Sequence, residues 1–150
     1  MYKLIHIPKT GGTSLRISGI YGEHKIGYDP KFVNLILIRN PLDRTLSHFK
    51  EKSNGEFLSW FEPKYYDYQT NYLIKYLNVK NLEQIKDFII KNKIITIPTD
   101  ELTSRMKKLG YNIPHVNKAT IEFNPSKEII NLIESKNKLD KELYEWVKSK

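Results

Sequence analysis

The sequence of 150 residues contains no cysteine, and this absence excludes several kinds of site. Without a thiol the chain has no disulfide, no thiolate-bound metal and no cysteine nucleophile. No apolar run approaches the roughly 20 residues that span a bilayer. The apolar stretch after Met1 is also too short for a secretory signal. We therefore expect a cytoplasmic or otherwise soluble intracellular protein with no membrane span.

Acidic residues are outnumbered, with 17 Asp and Glu against 25 Lys and Arg and a formal net charge of +8. Such a surplus favours anionic ligands such as nucleotides, nucleic acid, acidic glycans or anionic membrane surfaces, although solubility alone would also explain it. No recognised nucleic-acid motif is present, so we expect no nucleic-acid partner. The length suits one compact domain, and no repeat or linker interrupts it. We predict a single domain over residues 1–150.

Strand-like and helix-like patterns alternate along the chain. Three segments have the apolar, β-branched character of strands: Tyr2 to Ile7, Phe32 to Ile38 and Lys93 to Ile97. Helical periodicity follows at residues 13–20, after Asn40, at 66–76, after Asn81, and at 99–109, 125–134 and 139–148. The segment "FVNLILI" suits a central parallel strand covered on both faces. The pattern predicts a P-loop-like three-layer α/β sandwich, with a central parallel sheet flanked by helices and a ligand at the strands' carboxyl ends.

The segment "HIPKTGGTSL" joins the first strand to the first helix. Glycines let the backbone approach an anion, helix N-terminal N–H groups point outward, and hydroxyls add donors. We therefore predict that residues 10–14 cradle a phosphate with Lys9 beside them. The segment departs from the Walker A pattern G-x-x-x-x-G-K-[ST], because its lysine precedes the glycines. The second strand also ends in arginine and asparagine, without the acidic residue of a Walker B motif. A metal-free anion site fits better.

The segment "RNPLDRTLSHF" begins where the second strand ends, at Arg39. Asn40 suits an N-cap, Pro41 suits the first helical position, and Asp43 stands at the capping-box position. Apolar residues recur on the face that we expect to pack inward: Leu42, Leu46 and Phe49. Polar residues share a different face: Arg44, Ser47 and His48.

Together these two segments resemble the PAPS-dependent sulfotransferases of the carbohydrate (heparan, chondroitin and Golgi-type) branch. "PKTGGTS" is similar to the family's 5′-phosphosulfate loop. "ILIRNPLDRTLSHF" is similar to its 3′-phosphate motif, R-D-P-x-x-R-x-x-S, with Asn40 in place of the usual Asp. Four later segments resemble the family in the same order: "DYQTNYL", "IITIPTDELTSRMKKLGY", "HVNKATIEFNPSKEI" and "LDKELYEWV". The chain looks like a minimal member without stem or anchor.

The resemblance implies an enzyme that moves a sulfuryl group from PAPS (3′-phosphoadenosine 5′-phosphosulfate) to a hydroxyl, releases PAP and needs no metal. It implies that Lys9 is catalytic and neutralises the leaving oxygen. It implies further nucleotide contacts in three groups: Thr10, Gly11, Gly12, Thr13 and Ser14 at the 5′-phosphate; Arg39 and Ser47 at the 3′-phosphate; and Lys118 and Thr120, with Ser126, from the late loop. The acceptor implied is a saccharide or another small molecule.

The general base is assigned to the stretch "GEHKIGYDP", where the family often carries a histidine. His24 is the first candidate, because a neutral imidazole accepts a hydroxyl proton near pH 7. Glu23 is the second. The aromatic segment after Trp60 either packs in the core or lines an acceptor cleft. Two other functional classes stay open, a metal-dependent P-loop kinase or hydrolase and a non-catalytic nucleotide-binding module.

Overall fold

The computed structural model describes residues 1–53, 55–113 and 124–150. These residues form three strands: β1 (Tyr2–Ile5), β2 (Val33–Ile38) and β3 (Ile95–Pro98). They also form eight α-helices: α1 (Gly12–Ile17), α2 (Pro41–Lys52), α3 (Phe57–Trp60), α4 (Tyr68–Tyr76), α5 (Leu82–Lys91), α6 (Leu102–Lys108), α7 (Lys127–Lys136) and α8 (Lys138–Lys148). Two short 3-10 helices cover Pro63–Tyr65 and Thr99–Glu101. The predicted α/β class is confirmed.

The three strands form one parallel sheet in the order β1-β2-β3. Leu35 of β2 is in register with Leu4 on one side and with Ile95 on the other. The prediction that "FVNLILI" is the central parallel strand is therefore confirmed. Because the strands are parallel, the chain leaves all three at the same edge of the sheet, which is where Lys9, Arg39 and Thr99 follow them.

Helices pack against both faces of the sheet, because successive strand residues point to opposite sides. One face packs mainly against α4, α5 and α8 through a cluster that includes Ile5, Ile36, Ile38, Leu73, Ile85 and Leu143. The other packs against α1 and α6 through a cluster that includes Leu4, Leu35, Leu37, Ile97, Leu15 and Met106. A third cluster joins α2, α3 and α7. This layering is compatible with the predicted sandwich.

A buried carboxylate joins the beginnings of α4 and α8. Asp140 is 1% exposed and accepts from the backbone N–H of Gln69 (3.1 Å) and of Thr70 (2.8 Å). In the opposite direction, the carboxylate of Asp67 accepts from the backbone N–H of Asp140 at 3.0 Å. Each acidic side chain thus satisfies N–H groups at the start of the other helix, where free donors and the helix dipole favour negative charge.

The element boundaries differ from the sequence prediction in a few places. Helix α3 and the 3-10 helix Pro63–Tyr65 were not predicted, since four and three residues are too short to show periodicity. The helix predicted at 99–109 begins as a 3-10 turn and becomes α-helical at Leu102. None of the helices in the described ranges has the length and apolar character needed to cross a membrane. Lys118 and Thr120 lie outside the described residues.

Candidate functional site

The loop between β1 and α1 has an unusual backbone at two positions. Gly11 has φ +96° and Lys9 has φ +64°, both in the left-handed region. Glycine adopts that conformation at no steric cost, whereas a lysine does so only when its surroundings impose it. Thr10, between them, is fully buried, and its hydroxyl donates to the carbonyl of Ile7 at 2.8 Å. The loop therefore has a fixed shape that orients Lys9.

Close packing explains why glycines follow the lysine. A Cβ on Gly11 would stand 3.0 Å from Cγ2 of Thr99, at the end of β3. A Cβ on Gly12 would stand 2.3 Å from Nε2 of His6, closer than real Cβ contacts allow. The hydroxyl of Thr99 also donates to the carbonyl of Thr10. The glycine pair thus lets the loop pack tightly against His6 and β3, a requirement that the sequence did not reveal.

Two arginines hold the loop from the side of β2 and α2. Nη1 of Arg39 donates to the carbonyl of Lys9 at 3.3 Å, and Nε of Arg44 donates to the carbonyl of Pro8 at 3.0 Å. The backbone of Arg39 is itself fixed by Gln69, whose Oε1 accepts from the Arg39 N–H (2.9 Å) and whose Nε2 donates to its carbonyl (2.8 Å). The structure therefore brings together Lys9 and Arg39, which the sequence predicted from separate motifs.

Arg44 is the residue of this site that sequence reasoning missed. It is 2% exposed, and no acceptor among the described residues lies within hydrogen-bond distance of its Nη2. Its Cζ lies 3.8 Å from the ring centroid of Tyr68, and burial lowers the pKa of Arg44 to about 10. Buried arginines are normally paired with an anion; Arg44 makes no direct ion pair within the described residues, although the charge of Asp140 raises its pKa against the effect of burial. The signal was present in the sequence, because Arg44 fills the second arginine of the R-D-P-x-x-R-x-x-S pattern.

Positive charge concentrates around Lys9. Lys9 is half-buried, and its pKa is lowered first by burial and then by Lys52, Arg39 and Arg44. We call these four residues the cationic cluster. The ammonium of Lys9 contacts the carboxylate of Glu51 in the last turn of α2. The field that disfavours a proton on Lys9 is the same field that attracts an anion to it.

The ring of His24 lies against the ring of His6, which in turn packs against the loop at Gly12. The two imidazole rings have centroids 4.1 Å apart, and the ring of His6 faces Gly12. The hydroxyl of Tyr72 anchors this arrangement, since it accepts from the Lys25 N–H (2.7 Å) and donates to the His6 carbonyl (2.9 Å). The pKa of His24 is lowered by burial and then by Arg16 and Lys25, which favours the neutral form that a base requires.

The remaining predicted residues occupy two helices beside the loop. Thr13 is exposed and Ser14 half-buried in the first turn of α1, whereas Ser47 is half-buried in α2, one turn after Arg44. Both base candidates, His24 and Glu23, are exposed. Within the part of the chain that the structure describes, no group of three His, Asp or Glu side chains could hold a metal ion.

Aromatic rings surround the far end of α2. The ring of His48 makes edge-on contacts with Trp60 (5.3 Å between centroids) and Tyr65 (5.1 Å), and those two rings stack at 4.2 Å. An open groove runs along them, lined by Ser53, Gly55, Glu56, Ser59, Trp60, Glu62, Lys64 and Tyr65. The predicted aromatic segment therefore both packs against α2 and lines a groove.

No protein-family model matches the chain, and no curated protein or solved structure matches it either. The residues and their geometry are therefore the basis on which a function is assigned.

Proposed function

We propose that the protein is a PAPS-dependent sulfotransferase with a P-loop-like fold, which transfers a sulfuryl group to a hydroxyl of a saccharide or another small molecule. The observation that carries this proposal is the cationic cluster at the carboxyl edge of the parallel sheet. Lys9 follows β1, Arg39 follows β2, and a hydrogen bond from the Arg39 guanidinium to the Lys9 carbonyl joins them. Ligands of parallel α/β folds bind at this edge.

The donor set of the cluster suits a nucleotide with two separate phosphate groups. A guanidinium such as that of Arg39 pairs with two phosphate oxygens at once, whereas a lysine ammonium acts as a point charge. Arg39 and Ser47 would hold the 3′-phosphate. Lys9 and the start of α1 would hold the 5′-phosphosulfate. Arg44 lies beneath the loop, where its Nε fixes the carbonyl of Pro8 and its Nη2 has no acceptor among the described residues, so it adds positive charge to the site.

Lys9 and His24 would have complementary roles in transfer. PAPS supplies the sulfuryl group; a bond forms between its sulfur and the acceptor oxygen, and the bond from sulfur to the 5′-phosphate oxygen breaks. Lys9 stabilises the negative charge that develops on that leaving oxygen. His24 takes the proton of the acceptor hydroxyl, for which its lowered pKa keeps it neutral. The fixed loop backbone keeps Lys9 oriented during the step.

Calorimetry with PAP, and separately with ATP and Mg²⁺, tests the nucleotide site. We expect PAP to bind without metal, and Arg39→Ala to abolish that binding. Arg105→Ala is the matched control, because Arg105 of α6 is paired with Glu101 of the preceding 3-10 helix at 3.4 Å, outside the cluster. A preference for ATP with Mg²⁺ would instead support a P-loop kinase or hydrolase and would contradict the proposal.

Transfer of labelled sulfate to a panel of saccharides and small hydroxyl compounds tests the chemistry. Lys9→Ala should abolish transfer, and full activity in that variant would refute the role given to Lys9. His24→Ala and Glu23→Gln compare the two base candidates at neighbouring positions. We expect His24→Ala to lower kcat with unchanged PAP binding, whereas Glu23→Gln leaves both unchanged. The reverse pattern would assign the base to Glu23.

A further inference from the structure

Glu51 places a carboxylate within the cationic cluster. Its Oε2 contacts the ammonium of Lys9, and its Oε1 lies 3.9 Å from Nζ of Lys52. The side chain of Glu51 is 46% exposed, whereas that of Lys9 is 29% exposed. The carboxylate thus approaches the cluster from the solvent side, which is the direction from which a ligand enters.

A carboxylate on Lys9 imitates the charge and the oxygen atoms of a phosphate or sulfate group. An ammonium has three donors in one small volume, so a ligand oxygen and the Glu51 oxygen compete for the same hydrogens and the same charge. Arg39 is not part of this contact, since its Nη1 donates to the Lys9 carbonyl instead. The competition therefore concerns the half of the site around Lys9 and leaves the half around Arg39 free.

We propose that Glu51 is an internal counter-ion that a ligand anion must displace from Lys9, and that it thereby determines which anions the site accepts. This inference rests on the nucleotide site proposed above. The apparent affinity of any ligand that needs Lys9 is reduced by the fraction of molecules in which Glu51 occupies it. A nucleotide that also gains Arg39 overcomes this competition, whereas a small inorganic anion does not. Glu51 would thus protect the site from free sulfate and phosphate.

The affinities of three adenosine nucleotides distinguish displacement of Glu51 from Lys9 from a general effect of charge. PAP uses both halves of the proposed site, 5′-AMP uses only the half around Lys9, and 3′-AMP uses only the half around Arg39. In calorimetry we expect Glu51→Gln to tighten PAP and 5′-AMP by a similar factor, about twofold to fivefold, as the strength of exposed ion pairs implies. Binding of 3′-AMP should not change.

Two further variants sharpen the measurement. Glu51→Asp keeps the charge but shortens the side chain, so it should withdraw the carboxylate from Lys9 and tighten PAP in the same direction. Glu83→Gln is the matched control, since it removes an exposed carboxylate that lies 3.3 Å from Lys86 on α5. It should leave all three affinities unchanged. In a Lys9→Ala background, Glu51→Gln should not increase the affinity for PAP or 5′-AMP.

If Glu51→Gln increased the affinity for all three nucleotides equally, the proposal would be overturned, because the effect would then come from the overall charge of the site. Unchanged PAP binding combined with a loss of sulfate transfer would overturn it as well, and would make Glu51 a candidate base. Pyrophosphate serves as a probe that needs no nucleotide site. If PAP fails to bind but Glu51→Gln still tightens pyrophosphate, the nucleotide proposal fails and the counter-ion stands. If pyrophosphate binding is unchanged, the counter-ion proposal fails.

Discussion

Replacement of Arg44 by methionine separates a structural role from an electrostatic one. Arg44 is buried beneath the glycine loop, donates to the carbonyl of Pro8 and lies over the ring of Tyr68. Methionine retains much of its apolar volume but removes the charge and the donors. If Arg44 serves the fold, this change should lower stability strongly. If it serves an anion site, the change should weaken anion binding and leave stability nearly unaltered.

The opposing contributions to stability are of similar size. Burial lowers the pKa of Arg44 from 12.5 to about 10, which corresponds to about 3 kcal/mol against the charged form. The hydrogen bond to Pro8 offsets about 1.5–3 kcal/mol of this, since its donor is charged. Tyr68 and Asp140 already oppose the effect of burial within that pKa, so they add no further offset. We therefore expect Arg44→Met to change the free energy of unfolding by no more than about 1.5 kcal/mol.

Urea unfolding followed by circular dichroism measures the stability, and calorimetry with PAP measures the binding. We expect PAP affinity to fall about tenfold, because a positive charge close to the bound phosphates is lost in a partly buried site. Arg105→Met on α6 is the control, and it should leave both quantities unchanged. A loss of more than about 2 kcal/mol in stability with unaltered PAP binding would refute this reasoning and make Arg44 structural.

Three other changes follow from the packing and charges around the loop. Gly12→Ala should lower the thermal midpoint and abolish PAP binding, because its Cβ would stand 2.3 Å from Nε2 of His6; a midpoint equal to the wild type in calorimetric scans would contradict this close packing. Asp140→Ala should lower the urea-derived free energy of unfolding by about 3 kcal/mol, since it leaves buried N–H groups of α4 unpaired. The structure lowers the pKa of His6 and of His48 to about 4, chiefly by burial, so folding favours their neutral forms. Their contribution is fully present above pH 6.5 and is lost as the pH falls towards 4; unfolding free energies that stay constant from pH 7 to 4 would contradict it.

Local patterns predicted most of the secondary structure because each depends on neighbouring residues. The run "FVNLILI" is apolar on both faces, which only a covered central strand requires, and β2 has that position. Asn40 is predicted as an N-cap and Asn81 as the residue that precedes a helix; their side chains accept from Leu42 N–H and Gln84 N–H, both at 2.9 Å. The helix α3 gave no such signal, because one turn of helix has no period.

The site was predictable only as far as its motifs extend. Lys9 and Arg39 were found because each stands at the end of a strand, and parallel strands end at one edge. The burial of Arg44 could not be inferred, since a polar helix face is usually solvated and nothing local shows that the loop covers it. The contact between Lys9 and Glu51 joins residues 42 positions apart by sequence number, and no spacing rule connects them.

Hydrogen bonds that begin at the cap of α4 fix the position of Arg39, which lies in the loop between β2 and α2. Asp140 on α8 fixes the start of α4 through Gln69, and Gln69 holds both backbone polar groups of Arg39. Arg39 in turn donates to the carbonyl of Lys9. The chain of contacts therefore runs from α8 to the first loop through buried and partly buried hydrogen bonds, which are electrostatically stronger than fully solvated ones. Gln69 can bond the backbone N–H and carbonyl of Arg39 only while α4 begins near Gln69. The capping of α4 by Asp140 of α8 is therefore needed to position Arg39 as well as to stabilise the helix.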